Sequence, residues 1–303
     1  MAEVHHFSFG AFNPVAAFLM AFLGSLLGLL CTSRARRART RGRRTRWLAI
    51  AAVAIGGAAI WLMHFMAMLG FDLPDSPVRY DPGLTLASLL IAVLTVGIGL
   101  AIVGHGRRSA ARILGGGVFT GLGVLAMHYT GMAALHVAGT IEYHPLLVAA
   151  SAAVAIVAAT VALWFTVSVR GWAAIIGAAA IMAVAVCGMH YTGMAAMVVR
   201  LRMTGDGAVA GISPFLLIVP ITLLTAATLL GMAFSALQAM TEEEFTGGVP
   251  RPPANRGVHA ETPWSLRSTN APAPARVGRP SPYPRTGPTP YPVKAGRPPY
   301  ART

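Results

Sequence analysis

Three Met-His pairs, each followed by a second Met four residues after the His, are the groups in this chain best suited to hold a metal. They are Met63-His64 with Met68, Met127-His128 with Met132, and Met189-His190 with Met194. The last two open the same string, Met-His-Tyr-Thr-Gly-Met-Ala-Ala, beginning at Met127 and at Met189, with Ala126 and Gly188 before them. Each pair lies toward the end of a long apolar stretch. An imidazole in hydrocarbon is costly, so three in the same register beside soft sulfur atoms ask for a shared role. In a helix, residues four apart lie on one face about 6 Å apart along the axis, which aims each His and its following Met at a common centre. The preceding Met is turned by roughly 100° to the flank, where it either ligates or packs. Imidazole and thioether select copper, as Cu(I) or Cu(II), whereas magnesium and calcium take oxygen and structural zinc takes thiolate. Met63, His64, Met68, Met127, His128, Met132, Met189, His190 and Met194 are therefore the expected metal ligands. Met66, Met197 and Cys187 stand close by in sequence. Taken singly, each His or Met suits plain helix packing; the joint offsets favour a metal.

The elements that must position these residues belong to a membrane. The chain is 55% hydrophobic and only 11% charged, with a mean hydropathy of +0.62. Seven stretches are long enough to cross a hydrocarbon core of about 30 Å: 14–32, 47–69, 82–104, 113–135, 145–168, 172–199 and 214–237. All are expected to be helices, since a spanning segment must satisfy its own backbone. The fold class is thus all-α, a polytopic seven-helix protein of a plasma membrane. The first span lacks a basic lead and a small-residue cleavage site, so it reads as a retained helix.

The formal charge of +14 does not point to nucleic acid. Arg34, Arg36, Arg37, Arg39, Arg41, Arg43, Arg44 and Arg46 cluster between the first two spans, as the positive-inside bias places them. That makes the N-terminus external and the C-terminus cytoplasmic, with anionic lipid contact at the arginines. The outer loops then hold Asp72, Asp75, Asp81, Glu142 and Asp206, and no acidic residue falls within a span, which excludes a carboxylate-bridged iron site. His64 is eight residues before Asp72 and His190 ten before Arg200, so the motifs share one layer roughly 12–15 Å below the outer loops. Cys31 and Cys187 differ too much in depth for an easy disulfide.

Spacings of 64 and 62 residues between successive motif histidines make a pair of helices the repeating unit. Asn13-Pro14, Asp81-Pro82, His144-Pro145 and Ser213-Pro214 mark the starts of the odd-numbered spans, as N-cap and first-turn signals. Gly117 and Gly121 suit close helix approach, and Trp47, Trp164 and Trp172 read as interfacial anchors. Residues 1–240 form the membrane domain. From 241 to 303 the chain turns Pro-, Arg- and Gly-rich, a composition expected to stay disordered in the cytoplasm. Its Pro-Tyr strings around Tyr283, Tyr291 and Tyr300 are candidate partner motifs.

The strings Met127-His128-Tyr129-Thr130 and Met189-His190-Tyr191-Thr192 resemble those of the bacterial MHYT-domain integral membrane proteins. The resemblance covers residues 5–237. It implies seven membrane helices, copper bound by the motif Met and His residues, and sensing of oxygen, carbon monoxide or nitric oxide. Such proteins are often fused to cyclic-di-GMP or kinase output domains, and the tail here is too short and too poor in core residues for one. The first copy departs from the string, with Phe65 for Tyr and Met66 for Thr.

The leading expectation is a non-enzymatic copper-binding membrane sensor that signals to a cytoplasmic partner through loops or tail, though redox activity at the metal remains open. A haem-binding electron carrier is the first alternative, since facing His and Met residues can supply axial ligands. A copper transporter is the second. Against it, Ala51 to Ala58 and Ala173 to Ala183 offer no ladder of ligands toward the cytoplasm. His5, His6, His136 and His144 would lie on the outer face.

Overall fold

The computed structural model describes residues 10–74, 76–106, 109–201 and 209–247. Among these described residues six helices are long and apolar enough to cross a membrane: α1 (Phe12–Arg37), α2 (Arg41–Met68), α3 (Pro82–Gly104), α4 (Ala110–Ala133), α5 (Pro145–Ser168) and α6 (Trp172–Ala195). A further helix, α7 (Pro214–Gly247), is interrupted in composition by Pro220, and its apolar run Val219–Gly231 is shorter than the others. The helix thus continues beyond the composition change at 241. The expectation of a disordered tail over 248–303 lies outside the described residues, as do His5, His6, Asp75 and Asp206.

Proline and its predecessor set two helix starts. Asp81 accepts a hydrogen bond from the Leu84 N–H at 2.8 Å, with Pro82 in the first turn. His144 has no side-chain cap; its own N–H instead donates to the Ala196 carbonyl at 2.8 Å. The expected cap at Asn13 is corrected, because α1 begins at Phe12. Buried Asn13 spends its amide across the bundle, donating to the Met66 carbonyl at 3.1 Å and satisfying an acceptor at the end of α2.

The arginine-rich connection is also different from its expected form as a loop. Arg34, Arg36 and Arg37 lie in α1, while Arg41, Arg43, Arg44 and Arg46 open α2, whose cap Thr40 accepts from the Arg43 N–H. Arginine is a good helix former, so the apolar windows 14–32 and 47–69 underestimate both helices. At the opposite end the window 172–199 overruns. The chain leaves the helix at Ala195 because Met197–Leu201 pairs as a strand.

Helix α2 is the axis of the bundle. Within its apolar window 83% of residues are buried, against 22% to 50% in the other five spans. Helices α3, α4, α5, α6 and α1 pack in sequence around it, and α7 rests on α1 and α2. Such crowding needs small residues. A Cβ on Gly56 would sit 2.7 Å from the Ala92 carbonyl oxygen of α3, and one on Gly121 would sit 2.6 Å from Ile156 Cα of α5. Over Val53–Leu62, α2 adopts π-helical i→i+5 bonding, which widens the turn just before the first motif. The outer ring exposes Leu86, Leu90, Leu94, Val157 and Val184, the apolar face that lipid covers.

Above the motifs, four short strands among the described residues form a crown. Arg79–Tyr80 (β1) pairs with Leu135–His136 (β2), and Gly139–Tyr143 (β3) pairs with β4, Met197–Leu201. The Asp81 N–H donates to the Ala134 carbonyl at 2.8 Å, the same distance as His144 to Ala196. Each tie joins the start of an odd helix to the end of the next motif helix, so the crown holds the motif ends together.

Candidate metal centre

Helices α2, α4 and α6 bring His64, His128 and His190 to one point. The Nδ1 atoms of His64 and His190 are 3.0 Å apart and those of His64 and His128 are 3.2 Å apart. The rings stand nearly perpendicular to one another, at 79°, 80° and 88°, with centroids 4.9 to 5.3 Å apart. Exposure is at most 1% for each. Among the described residues this is the one cluster of three His, Cys, Asp or Glu side chains able to share an ion.

The donor set fits a metal on two physical grounds. Three nitrogens at the 2.0–2.1 Å bond length of a metal-imidazole contact stand about 3.3–3.6 Å from one another, so the two pairs that include His64 need spread by only a few tenths of an ångström, and all three ligand atoms already lie within 4.8 Å of one another. A neutral imidazole Nδ1 is either a donor or an acceptor. His64 Nδ1 makes both close contacts, so in a neutral cluster a single N–H has to be shared between two acceptors, whereas a cation accepts all three lone pairs.

The six expected Met ligands are all buried, from 0% exposure at Met63, Met68, Met127 and Met132 to 4% at Met194. Met68, Met132 and Met194 stand one helical turn nearer the crown than their histidines. The preceding methionines differ among themselves. Met63 packs with Ala17 and Ala21 of α1 and Ala183 of α6, whereas Met189 borders a cavity of about 50 Å³ on the far side of the imidazole layer. Cys187 packs beside Tyr191 in the Met63 cluster and does not join the imidazoles.

The aromatic residue after each His has a shared role. Phe65, Tyr129 and Tyr191 each stand edge-on to their own imidazole, at centroid distances of 4.8, 5.0 and 5.0 Å. That contact needs a ring and no hydroxyl, which accounts for the departure at Phe65. The Tyr129 hydroxyl instead bonds Ser151 at 3.1 Å. The Thr192 hydroxyl donates to the Gly188 carbonyl one turn back at 2.7 Å.

The sequence reading missed the glycine of the repeated string. Gly131 backs the imidazole of His64, and a Cβ there would lie 2.5 Å from Nε2; Gly193 backs His128 Nε2 in the same way, still closer. Helices α4 and α6 thus each make room for the preceding motif's histidine. The signal was present in the sequence, as a glycine three residues after His in both near-identical strings. The Nε2 atoms of His64 and His128 are buried without a hydrogen-bond partner. Tyr80, fully buried, closes the top by donating its hydroxyl to the Met68 carbonyl at 3.3 Å. Burial holds that phenol above the usual tyrosine range, so it remains a donor. Tyr143, packed on Tyr129, is pushed up to about 12 by burial and secondarily by that neighbour. His136 donates from Nδ1 to the Ala210 carbonyl oxygen at 3.0 Å.

Comparison with known proteins follows this three-fold arrangement. The MHYT repeat, described as a bacterial signalling protein N-terminal repeat, matches residues 57–116, 121–179 and 184–242. The bifunctional diguanylate cyclase/cyclic di-GMP phosphodiesterase MucR of Pseudomonas aeruginosa is 37% identical over 242 residues, 76% of this chain and 34% of that protein. The cyclic di-GMP phosphodiesterase NbdA of the same organism is 36% identical over 188 residues, 60% of this chain and 24% of its own. The signaling protein YkoW of Bacillus subtilis is 31% identical over 169 residues, 54% of this chain and 21% of its own. The chain therefore spans about a third or less of each of these relatives. No solved structure matches.

Proposed function

This chain belongs to the MHYT family of bacterial signalling proteins, as a multi-pass plasma-membrane protein with a sensory role, and we propose that its signal is read by copper held at His64, His128 and His190. The single observation that carries the reading is the meeting of three buried Nδ1 atoms within about one coordination sphere. Met68, Met132 and Met194, a turn above, supply thioethers on the crown side and favour Cu(I). Copper contributes a centre that changes charge with redox state and accepts a small ligand such as a diatomic gas. The chain's own part is to hold three imidazoles on three different helices, so that any change in what they bind alters how α2, α4 and α6 pack. A discrete repacking of the motif helices then reaches the arginine-rich end, which the positive-inside bias assigns to the cytoplasm, and a signalling partner there. In this reading seven helices span, α7 included, and the chain itself is not a catalyst.

Two alternatives are weaker on stated grounds. Axial ligation of haem asks for a porphyrin-wide slot between imidazoles, and rings with centroids 4.9 to 5.3 Å apart leave none. Copper transport asks for a continuous run of ligands inward of the triad, where the cavity lining offers two thioethers, Met182 and Met189, among mostly Ala, Val, Leu and Ile.

The test is metal content. The purified full chain, loaded with Cu(I) and passed through a desalting column, is expected to retain copper, while the His64→Ala, His128→Ala, His190→Ala triple variant retains none. Equal retention by both, or none by either, overturns the copper assignment. Hydrogen exchange at the inner ends of α2, α4 and α6 is expected to change on loading; identical exchange with and without metal rejects the signalling step.

A further inference from the structure

A cavity of about 470 Å³ opens at the end of the bundle opposite the histidines. Its wall is built from the last turn of α1, the first turns of α2, and the ends of α3 and α5, with Arg36, Arg37, Arg44 and Arg170 among its lining residues and no Asp or Glu. We propose that this cavity is a binding site for a phosphate group.

Part of the arginine charge has a local use. Arg36 donates to the Thr166 carbonyl and, at 2.7 Å, to the Val169 carbonyl, and Arg44 donates to the Gly104 carbonyl at 3.4 Å. These are helix-end acceptors, so two guanidinium groups cap helices and are thereby fixed in the wall. Arg37 and Arg170 have no hydrogen-bond or ion-pair partner among the described residues, and both face the same cavity. Ordinary positive-inside arginines spread into solvent. Here four line one concavity.

The charge balance identifies the ligand class. Helices α1, α3 and α5 end at this wall, and each C-terminus contributes about −0.5 charge. Gly171, at φ 84° where a side chain is disfavoured, turns the chain so that α6 starts at the wall, and its N-terminus contributes about +0.5. The N-terminus of α2 at the same wall adds about +0.5 more, and four guanidinium charges with these terms leave roughly +3.5. A phosphate monoester carries about −1.5 to −2 at neutral pH and presents oxygens that suit the planar fork of arginine. Leu48, Leu100, Val103 and Val167 also line the wall and can meet an apolar body that carries the phosphate, whereas a cation has no counterpart there. The same group occurs on a membrane lipid and on a soluble phosphate, so the experiment separates the sources.

The full chain is purified in a zwitterionic detergent without added metal, so that the outcome is independent of the copper reading. One arm titrates inorganic phosphate and pyrophosphate and follows binding by calorimetry. The other measures, by native mass spectrometry, retention of phosphatidylglycerol against phosphatidylcholine. The Arg37→Gln, Arg170→Gln double variant leaves the helix-capping arginines intact and is expected to lose about tenfold in affinity in whichever arm binds. An Arg39→Gln, Arg43→Gln control, which removes equal charge from residues outside the cavity lining, is expected to change affinity by less than about twofold. Binding in the first arm alone identifies a soluble phosphate, in the second alone a lipid headgroup, and in both the phosphate itself. Absence of binding in both arms, or an equal loss in the control, overturns the proposal.

Discussion

The first motif copy and the other two perform the same task in different surroundings, and their sequence differences follow those surroundings. His64 rides on the axial helix α2 and faces both partners, at 3.0 and 3.2 Å. Phe65 beside it is fully buried between the rings of Trp61 and Tyr80, whereas Tyr129 has a hydroxyl partner in Ser151. Tyr129 and Tyr191 ride on outer helices and are half-buried. Ala67 replaces the glycine that Gly131 and Gly193 supply, so the close cradle is described on α4 and α6 only. What reads as degeneration of a motif is adaptation to the centre of a bundle.

The comparison can be broken most sharply at the histidines. His64→Ala removes the ring that contacts both others, and copper affinity is expected to fall by about a hundredfold or more, beyond the usual effect of losing an outer-shell partner. Metal competition with a Cu(I) chelator measures it, and wild-type affinity in that variant would reject the axial role of the first copy. Next in size are the glycines. Gly131→Ala or Gly193→Ala forces a Cβ onto an imidazole, with an expected cost of about 1–3 kcal/mol in detergent unfolding and weaker copper retention. Ala67→Gly, the converse change, is expected to cost no more than about 1 kcal/mol.

The aromatic pair gives a smaller and asymmetric effect. Phe65→Tyr forces an added hydroxyl into a fully buried site between Trp61 and Tyr80, at about 1–3 kcal/mol, whereas Tyr129→Phe loses its bond to Ser151, at about 0.5–1.5 kcal/mol. Equal costs for the two would contradict the account of the first copy. Smallest is the crown of the later copies. Glu142 and Arg200 pair at 3.1 Å with both side chains more than half exposed, so Glu142→Gln should shift the unfolding midpoint by an amount worth under about 0.5 kcal/mol.

Alternation of apolar windows with Asp-Pro and His-Pro starts located α3 and α5 to the residue, because lipid leaves a spanning backbone one solution and proline punctuates its beginning. The arginine connection was misread as a loop, since a hydropathy window cannot tell a charged helix end from a coil. Asn13 looked like a cap and serves as a cross-bundle donor. The glycine after each full motif was visible in the string, yet its purpose depends on which helix lies opposite.

Residue types and spacing alone determined that the chain is a repeated membrane bundle and that its imidazoles share a layer, because burial energy and helical periodicity are local rules written along the chain. The tertiary structure decided which helix occupies the axis, that the Nδ1 atoms face inward, and that α4 and α6 each carry a glycine cradle for the preceding copy's imidazole. Those outcomes depend on how neighbouring helices exclude one another's volume, a property of the assembled bundle that no single segment carries.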